Sequence, residues 1–425
     1  MNKKSTESKK TLFSFHGIDV SIIFVACFLS IFCLIFVYSA SAFEAGDDKV
    51  MLFKTIELNK NFSLLFNTAA YIILGLVVMT VLAIANFDTI GSKIPLVARL
   101  VKNPVIYYVI SCSFFIFIEV MKHVGSDSGA EDGIVGNNMI IKSNGAYRWI
   151  RIPIIHKSFQ PSEAVKFLLI ICFALIIYNS GMILEYKRGI LLYVIVAAIP
   201  SAMVLFFSSD LSSSIVIFGI LYIMMLVAGP NFKNTAVATG VIFLIVLIAF
   251  LFLWRVNYGK EESDIHPYQA KRILAWLYPE EYPASADQTN QALYAIGSGG
   301  IFGEGIGNSM QKIKKLSEAQ NDMIFALICE EMGLCGGLAV IILYFVMLYR
   351  MFRISVDADN LFDRMVVVGV LSHIGLQVII NICVVTRIFP NTGLPLPFIS
   401  SGGSSIIFAY AELGLVLNIG KNIER

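Results

Sequence analysis

LSEAQNDMIFALICEEMG, residues 316–333, leads from a polar segment directly into an apolar run that continues to residue 349. An apolar run of this length indicates a membrane-spanning helix. Glu330 and Glu331 lie inside the run, and Asp322 stands at its polar edge. An ionisable side chain inside a bilayer costs about 3 kcal/mol or more unless it is paired or hydrated, so such residues are candidates for function. The three carboxylates therefore define the first candidate site.

The composition of the whole chain agrees with a membrane protein. Of 425 residues, 57% are hydrophobic and only 15% are charged. The net charge of +2 comes without a basic stripe, so no nucleic-acid partner is expected. The seven cysteines fall in apolar runs without CxxC or Cys/His spacing, which predicts neither disulfides nor a zinc site.

The apolar runs predict the fold class, an all-α polytopic membrane protein with ten transmembrane helices. One integral membrane domain would then cover residues 1–425. Each predicted span has the length that crosses the hydrocarbon core of a bilayer. The spans are residues 20–42, 64–86, 104–121, 162–180, 190–207, 211–228, 235–254, 323–349, 365–384 and 401–419.

The distribution of cations predicts the orientation. Residues 1–19 form a basic tail, and Lys187 and Arg350 are among the cations of the short connections that lie on the same side. The positive-inside rule places this side, with both termini, in the cytoplasm. The first apolar run is too long for a signal peptide and is interpreted as a retained span. Residues 122–161 and the large loop 255–321, between helices 7 and 8, are then extracytoplasmic.

Several local patterns on this outer side carry expectations. Asp210 is expected to cap a helix, and residues 268–279 have the spacing of an amphipathic helix. The glycine-rich residues 291–309 favour close backbone packing or a re-entrant segment over phosphate binding, because no strand precedes them. Residues 390–405, PNTGLPLPFISSGGSS, are expected to line a wet cavity, since backbone this irregular at membrane depth needs polar partners.

The residues at the start of the fourth predicted helix have two alternative interpretations. Glu163 and Lys166 share a helix face at i,i+3 spacing, and a structural pair is as plausible as a substrate contact. Arg148 and Trp149 fit the position of an aromatic and a cation at lipid headgroups. For Trp149 alone, interfacial anchoring is the favoured interpretation.

These motifs, taken in order, resemble one family. YSAS at residues 38–41, GAYRWI at 145–150, FQPSE at 159–163, the glycines after Ser298, residues 316–333 and residues 390–405 are similar to the SEDS family of FtsW/RodA type, closer to the FtsW branch. The resemblance implies a ten-helix protein of the bacterial inner membrane that polymerises lipid II into peptidoglycan. It also implies a class B penicillin-binding transpeptidase as partner, within the divisome or elongasome.

The resemblance implies that Asp322 is the catalytic aspartate. The chain departs from the family pattern nearby, at Ser317, Asn321, Met323 and Ser401. Glu330 and Glu331 lie about 12 Å deeper at 1.5 Å per residue and are expected to be buried support, with Lys166 as a candidate partner. The predicted substrate-binding residues are Arg148, Trp149, Gln160, Glu163, Lys166, Arg272, Lys312, Glu318, Ser400, Gly402, Gly403 and Ser404.

The lipid diphosphate needs positive charge, and the sequence does not rank the candidates. They are Arg148, Lys166, Arg272, Lys312 and Lys314. A divalent cation, Mg²⁺ or Mn²⁺, held by Asp322 is left open, and no cofactor is otherwise expected.

Two rival functions compete with the enzyme. A lipid II flippase or transporter would need functional polar residues on both faces, whereas the unusual motifs cluster on one face. A scaffold that only recruits a partner would not explain a carboxylate at a polar-to-apolar boundary. The sequence leaves open a role in division, elongation or sporulation, the identity of the transpeptidase, and its necessity for activity.

Overall fold

The structure, a computed structural model, describes most of the chain. The described residues are 17–42, 51–85, 102–123, 133–135, 140–143, 146–152, 157–180, 184–229, 231–265, 268–309 and 319–423.

The described residues form twelve α-helices, which are numbered in chain order. Seven precede the large loop, two lie within it and three follow it. They are α1 Val20–Ala42, α2 Met51–Ile84, α3 Pro104–His123, α4 Pro161–Ser180, α5 Lys187–Ser208, α6 Leu211–Val227, α7 Phe232–Asn257, α8 Tyr268–Leu277, α9 Pro283–Ser298, α10 Ile324–Asp357, α11 Leu361–Val385 and α12 Ser404–Asn422.

Among the described residues, eight helices are long and apolar enough to cross a membrane, namely α1 to α5, α7, α10 and α11. The protein is therefore a multi-pass membrane protein. Helix α6 is apolar but shorter, and α12 is not among the eight, so this criterion does not confirm the predicted count of ten. A helix nevertheless occupies each of the ten predicted positions, because the bilayer makes long apolar runs helical whatever their neighbours.

Two helices form the centre of the bundle. In an 18-residue apolar stretch of α4 and of α11, 72% and 67% of the residues are buried, whereas none is buried in the corresponding stretch of α7. Small residues allow the backbones of α2 and α12 to approach each other closely. A Cβ added at Gly414 of α12 would lie only 2.8 Å from the carbonyl oxygen of Met79 in α2. The buried α4 and α11 carry polar residues that only a protein interior can satisfy.

Residues 122–161 contain a four-stranded antiparallel sheet, so the chain is not entirely α-helical outside the membrane. Its strands are β1 Gly133–Val135, β2 Ile140–Ser143, β3 Ala146–Ile152 and β4 Lys157–Phe159, in the order β1-β2-β3-β4. The sheet was not predicted, because three of its strands have only three or four residues and show too little alternation to be recognised.

The described residues of the large loop 255–321 include two α-helices and a small core. Helix α8 confirms the predicted amphipathic helix, and its buried Leu274 packs with Ile265 and Ala286. Helix α9 was not predicted. Trp276 Nε1 of α8 donates to the carbonyl oxygen of Arg387, at 3.0 Å, which ties the loop to the end of α11.

The glycine-rich residues after α9 pack directly on the backbone of α10. Gly333 interrupts α10 with a φ of 68°, and the backbone of residues 300–305 bonds to the interruption. Glu304 N donates to the carbonyl oxygen of Glu330 at 2.9 Å, and Leu334 N donates to that of Gly300 at 2.9 Å. Close backbone packing, one of the two predictions for this segment, is therefore confirmed. The kink in α10 could not be read from its hydropathy.

The turn before α6 confirms the predicted role of Asp210. Its Oδ1 accepts from Ser213 N at 3.2 Å, and its Oδ2 accepts from Ser213 Oγ at 2.8 Å. Asp210 is thus the N-cap of α6, which lets α5 and α6 reverse direction within two residues.

Candidate functional site

Asp322 lies in the turn that immediately precedes α10, and only 7% of its surface is exposed. Asn381 of α11 holds the backbone at this point. Its Nδ2 donates to the carbonyl oxygen of Asp322 at 2.7 Å and to that of Leu394 at 2.8 Å. One buried amide therefore joins the turn to the irregular loop that follows α11.

That loop, residues 390–403, closes over the Asp322 turn; a wet cavity along residues 390–405 stays a prediction. Ser400 Oγ donates to the carbonyl oxygen of Asn321 at 2.6 Å, and Ser401 N donates to that of Gln320 at 3.0 Å. Phe398, in the middle of the loop, has a φ of 66°, a strained conformation that the surrounding contacts must hold. The loop is therefore an ordered part of the site, held by hydrogen bonds to the Asp322 turn.

Two departures from the family pattern contact each other here. Ser401 Oγ donates to Asn321 Oδ1 at 2.7 Å and to the carbonyl oxygen of Gln320 at 3.1 Å. The small Ser401 side chain and the amide of Asn321 form a matched polar pair between the loop and the turn. The turn before α10 is therefore supported by the very residues that differ from the pattern.

Arg272 of α8 is the predicted cation that the structure brings beside Asp322. A Cβ placed on Gly393 would lie 3.7 Å from both terminal guanidinium nitrogens of Arg272 and 3.7 Å from Asp322 Oδ2. Arg272 Nη1 donates to the carbonyl oxygen of Asn391 at 3.2 Å. A carboxylate and a guanidinium from distant parts of the chain thus face the same small space next to Gly393.

Besides Asn381, two further amides of this site were not predicted from the sequence. Gln288 Nε2 of α9 donates to Asp322 Oδ1 at 3.4 Å, and Asn391 Nδ2 donates to Gln288 Oε1 at 2.6 Å. Gln288 could not be predicted as a site residue because its helix, α9, was not predicted. Asn391 belongs to the motif of residues 390–405, but its position in the sequence does not indicate which residue it contacts.

The predicted residues at the start of α12 link it to the start of α4. Gln160 N, one residue before α4, donates to Ser404 Oγ at 3.1 Å. Gly403 has a φ of 48°, and a Cβ there would lie 3.6 Å from the ring of Tyr71. These residues, with Gly402, border the loop that covers Asp322.

Glu163 and Lys166 form a buried ion pair in the bundle. Lys166 Nζ donates to Glu163 Oε1 at 2.8 Å, and the exposed fractions of the two side chains are 0% for Lys166 and 3% for Glu163. A second buried pair, His373 Nδ1 with Glu412 Oε2 at 2.8 Å, lies within electrostatic range of the first. Of the two readings left open, this geometry favours the structural pair.

Glu330 and Glu331 are buried, as predicted for support beneath Asp322. Their exposed fractions are 0% and 1%. Ser309 Oγ donates to Glu330 Oε2, and Ser39 Oγ of α1 donates to Glu331 Oε1 at 2.7 Å. These carboxylates join α10 to the glycine-rich segment and to α1, while Lys166, suggested as their partner, pairs with Glu163.

Other predicted residues are only partly covered by the structure. Trp149 is half-buried in β3, where it lies opposite Ile141. The side chain of Arg148 lies outside the described part. Lys312, Lys314, Ser317 and Glu318 fall in residues 310–318, also outside it. Among the described residues, no group of three or more His, Cys, Asp or Glu could hold a metal ion.

Fold and site together define a class of protein. It is a multi-pass helical membrane protein in which a carboxylate and a guanidinium meet where the spans give way to a large polar loop. Comparison with known sequences narrows this class. The profile of the FtsW/RodA/SpoVE family, described as "Cell cycle protein", matches residues 19–425, and the chain belongs to this family.

Individual relatives agree with this assignment. Stage V sporulation protein E of Bacillus subtilis (strain 168) is 46% identical over 156 residues, a match that spans 36% of this chain but only 43% of the relative. The probable peptidoglycan glycosyltransferase FtsW of Geobacter sulfurreducens (strain DL-1 / KN400) is 29% identical over 408 residues, 96% of each chain.

A solved structure shares the fold. A chain in the structure titled "Structural coordination of polymerization and crosslinking by a peptidoglycan synthase complex" superposes with a TM-score of 0.66 at 23% identity, covering 97% of this chain and 100% of that one. The chain therefore shares its fold with an experimentally determined structure.

Proposed function

We propose that this protein is a peptidoglycan glycosyltransferase that polymerises lipid II into glycan strands at the outer face of the bacterial cytoplasmic membrane. The observation that carries the proposal is the convergence of Asp322 and Arg272 on the space beside Gly393. A carboxylate and a fixed guanidinium are the two groups that transfer from a diphosphate-linked sugar requires. The name of the G. sulfurreducens relative, which aligns over nearly its whole length, supports the same activity.

In this proposal, Asp322 is the general base. A sugar hydroxyl of the acceptor attacks the anomeric carbon of the donor, a new C–O bond forms, and the proton passes to the carboxylate. The bond from the anomeric carbon to the lipid diphosphate breaks, and the diphosphate leaves with the electron pair. Diphosphate needs no protonation, so a second carboxylate of the kind glycosidases use is unnecessary. A positioned base contributes about 10²- to 10⁴-fold in rate.

Arg272 is the cation that would hold the diphosphate. A guanidinium presents paired donors that match phosphate oxygens, and charge placed in advance stabilises a developing anion without reorganisation. The hydrogen bond from Arg272 Nη1 to the carbonyl oxygen of Asn391 fixes the guanidinium group beside Asp322. Arg148, Lys312 and Lys314 are proposed as further cations along the lipid head group.

A divalent cation, Mg²⁺ or Mn²⁺, is proposed only as an ion that arrives with the diphosphate. Mg²⁺ is commonly bound through substrate phosphates, so in this proposal the diphosphate holds the ion and Asp322 remains the base. Gln288 and Asn381 contact Asp322 through side-chain amides, which suit positioning better than a resident metal centre.

The remaining predicted contacts are proposed to line the substrate path. Gln160 and the loop residues Ser400, Gly402, Gly403 and Ser404 border the site and offer hydroxyl or backbone groups to sugars and phosphates. Trp149 and Glu318 are proposed at its outer margin. Glu163 and Lys166 are proposed to act indirectly, because their buried pair supports the start of α4 beside Gln160.

A class B penicillin-binding transpeptidase is the proposed partner, within the divisome or the elongasome. The superposed chain of a peptidoglycan synthase complex supports this choice. The full-length match to an FtsW protein favours the divisome. Both termini are proposed to be cytoplasmic, because the cations of residues 1–19 and of the short connections share one side.

The test uses purified protein, with its transpeptidase partner, and lipid II as substrate. Wild type, Asp322→Asn and the control Asp359→Asn are compared by gel analysis of glycan strands. Asp359 is exposed in the connection between α10 and α11, at the far end of α10 from Asp322. We expect polymer from wild type and the control but none from Asp322→Asn.

Two outcomes would contradict the proposal. Polymer made by folded Asp322→Asn at the wild-type rate would remove Asp322 as base. Transfer of lipid II across liposomes by wild type, without any polymer, would restore the flippase alternative.

A further inference from the structure

The side chain of Gln288 lies between Asp322 and Asn391, in a site that three separate segments of the chain build. It comes from α9 in the large loop, while Asp322 precedes α10 and Asn391 follows α11. Gln288 bonds to both: its Nε2 donates to Asp322 Oδ1 and its Oε1 accepts from Asn391 Nδ2. An amide with a donor and an acceptor on opposite atoms can link two groups only in one orientation.

The backbone determines that orientation. Gly393 N donates to Asn391 Oδ1 at 3.0 Å, so Asn391 turns its NH₂ group toward Gln288. Asn391 Nδ2 then donates to Gln288 Oε1 at 2.6 Å, which turns the NH₂ group of Gln288 toward Asp322. Reversing either amide would set two donors or two acceptors against each other. The chain of bonds therefore runs from a backbone N–H to the carboxylate in one direction.

The two oxygens of Asp322 consequently have different surroundings. Oδ1 accepts from Gln288 Nε2 at 3.4 Å. Oδ2 faces Gly393, where the Arg272 guanidinium also lies, because a Cβ added there would be 3.7 Å from both. A substrate that occupies the space beside Gly393 would meet Oδ2 and Arg272 together.

We propose that Gln288 and Asn391 are positioning residues: Gln288 holds the Asp322 carboxylate through Oδ1, and Asn391 holds Gln288 in the orientation that this bond requires. This inference rests on the proposed function and deepens it. Asn391 also accepts from Arg272 Nη1 through its carbonyl oxygen, at 3.2 Å. One residue thus sets the base and the diphosphate-binding cation relative to each other.

Charged groups near Asp322 influence the pH at which its carboxylate is protonated. The elements packed on it contribute Arg272 from α8, and the neutral amides of Gln288 from α9 and Asn381 from α11. Asp287 precedes Gln288 on α9, and its carboxylate accepts from Gln291 at 2.7 Å. Lys312, Lys314, Lys315 and Glu318 belong to residues 310–318, outside the described part.

The experiment measures kcat/KM for lipid II polymerisation as a function of pH, with the partner transpeptidase present. Gln288→Leu removes the donor, and Gln288→Glu keeps the shape but replaces the donor by a second carboxylate. Gln291→Leu, one turn further along α9, is the matched control. Thermal unfolding of each variant reports whether it folds.

For Gln288→Leu we expect the acidic limb of the profile to move up by about one pH unit, because a donor to the ionised carboxylate favours that form. The plateau should fall roughly 10-fold, since the base loses its fixed orientation. Gln288→Glu should move the limb further in the same direction, because a neighbouring carboxylate opposes ionisation of Asp322. Gln291→Leu should keep the wild-type limb.

A uniform loss of rate with an unmoved limb in both Gln288 variants would show a merely structural role and overturn the inference. If Gln288→Leu does not fold, the isosteric Gln288→Glu decides alone by the same criterion. Asp322→Asn in the same assay separates this failure from that of the proposed function. An active Asp322→Asn removes the base itself, whereas an inactive one with an unmoved Gln288 limb removes only the positioning role.

Discussion

Replacing Gly303 with alanine tests how the glycine-rich segment holds α10 beneath Asp322. Gly303 has a φ of +82°, and an added Cβ would lie 2.2 Å from the carbonyl oxygen of Glu331. A positive φ costs an L-residue about 1–2 kcal/mol. The backbone must also separate, which breaks the bonds from Glu304 N to Glu330 O and from Gly305 N to Glu331 O, at 2.9 and 3.0 Å.

Each of these hydrogen bonds contributes about 1 kcal/mol to stability. Together with the cost of the positive φ, Gly303→Ala should lower the free energy of unfolding by about 3–4 kcal/mol. Two neighbouring glycines give a graded control. Gly307 has a φ of +92° but nothing within 4 Å of its added Cβ, so Gly307→Ala should lose only about 1–2 kcal/mol. Gly297 lies inside α9, and an added Cβ there also has nothing within 4 Å. Gly297→Ala should therefore raise the free energy of unfolding by up to about 1 kcal/mol.

The assay is thermal unfolding of the purified protein in detergent, followed by loss of the monodisperse peak on size exclusion. The expected order of midpoints is Gly303→Ala lowest, then Gly307→Ala, then wild type, with Gly297→Ala equal to or above wild type. Equal midpoints for Gly303→Ala and Gly307→Ala would refute the reasoning, because the two differ only in the backbone contact with α10.

Three further predictions concern charged residues. Arg272→Gln should lower kcat/KM for lipid II by about 10²-fold through lost transition-state charge stabilisation, whereas Lys271→Gln on the same helix should stay near wild type in the same polymerisation assay. Lys166→Met should destabilise by about 3–5 kcal/mol because it leaves Glu163 buried and unpaired, and adding Glu163→Gln should restore most of the unfolding midpoint; no recovery would argue against the ion pair. Asp210→Ala should cost about 1 kcal/mol through loss of the α6 cap, with polymerisation retained, and a loss of polymerisation at an unchanged midpoint would assign Asp210 a role in the site.

The spans, the Asp210 cap and the amphipathic helix α8 could all be predicted from the sequence because each depends on local physics. An apolar run in a bilayer has to satisfy its own backbone hydrogen bonds, so its position follows from hydropathy alone. A cap needs only the side chain and the N–H groups three residues ahead. The membrane class, the family resemblance and the candidate Asp322 therefore follow from the amino-acid sequence by itself.

What only the tertiary structure decided depends on residues far apart in the chain. The kink at Gly333 exists because residues 300–305 bond to α10, and the short strands of the outer sheet stabilise one another by pairing. Gln288 and Asn381 contact Asp322 from two segments, and Asn391 contacts Gln288 from a third, so no spacing in the sequence could indicate them. Hydropathy and motifs identified the carboxylate at the membrane edge, whereas long-range hydrogen bonds alone determine what holds it and which of its oxygens faces Arg272.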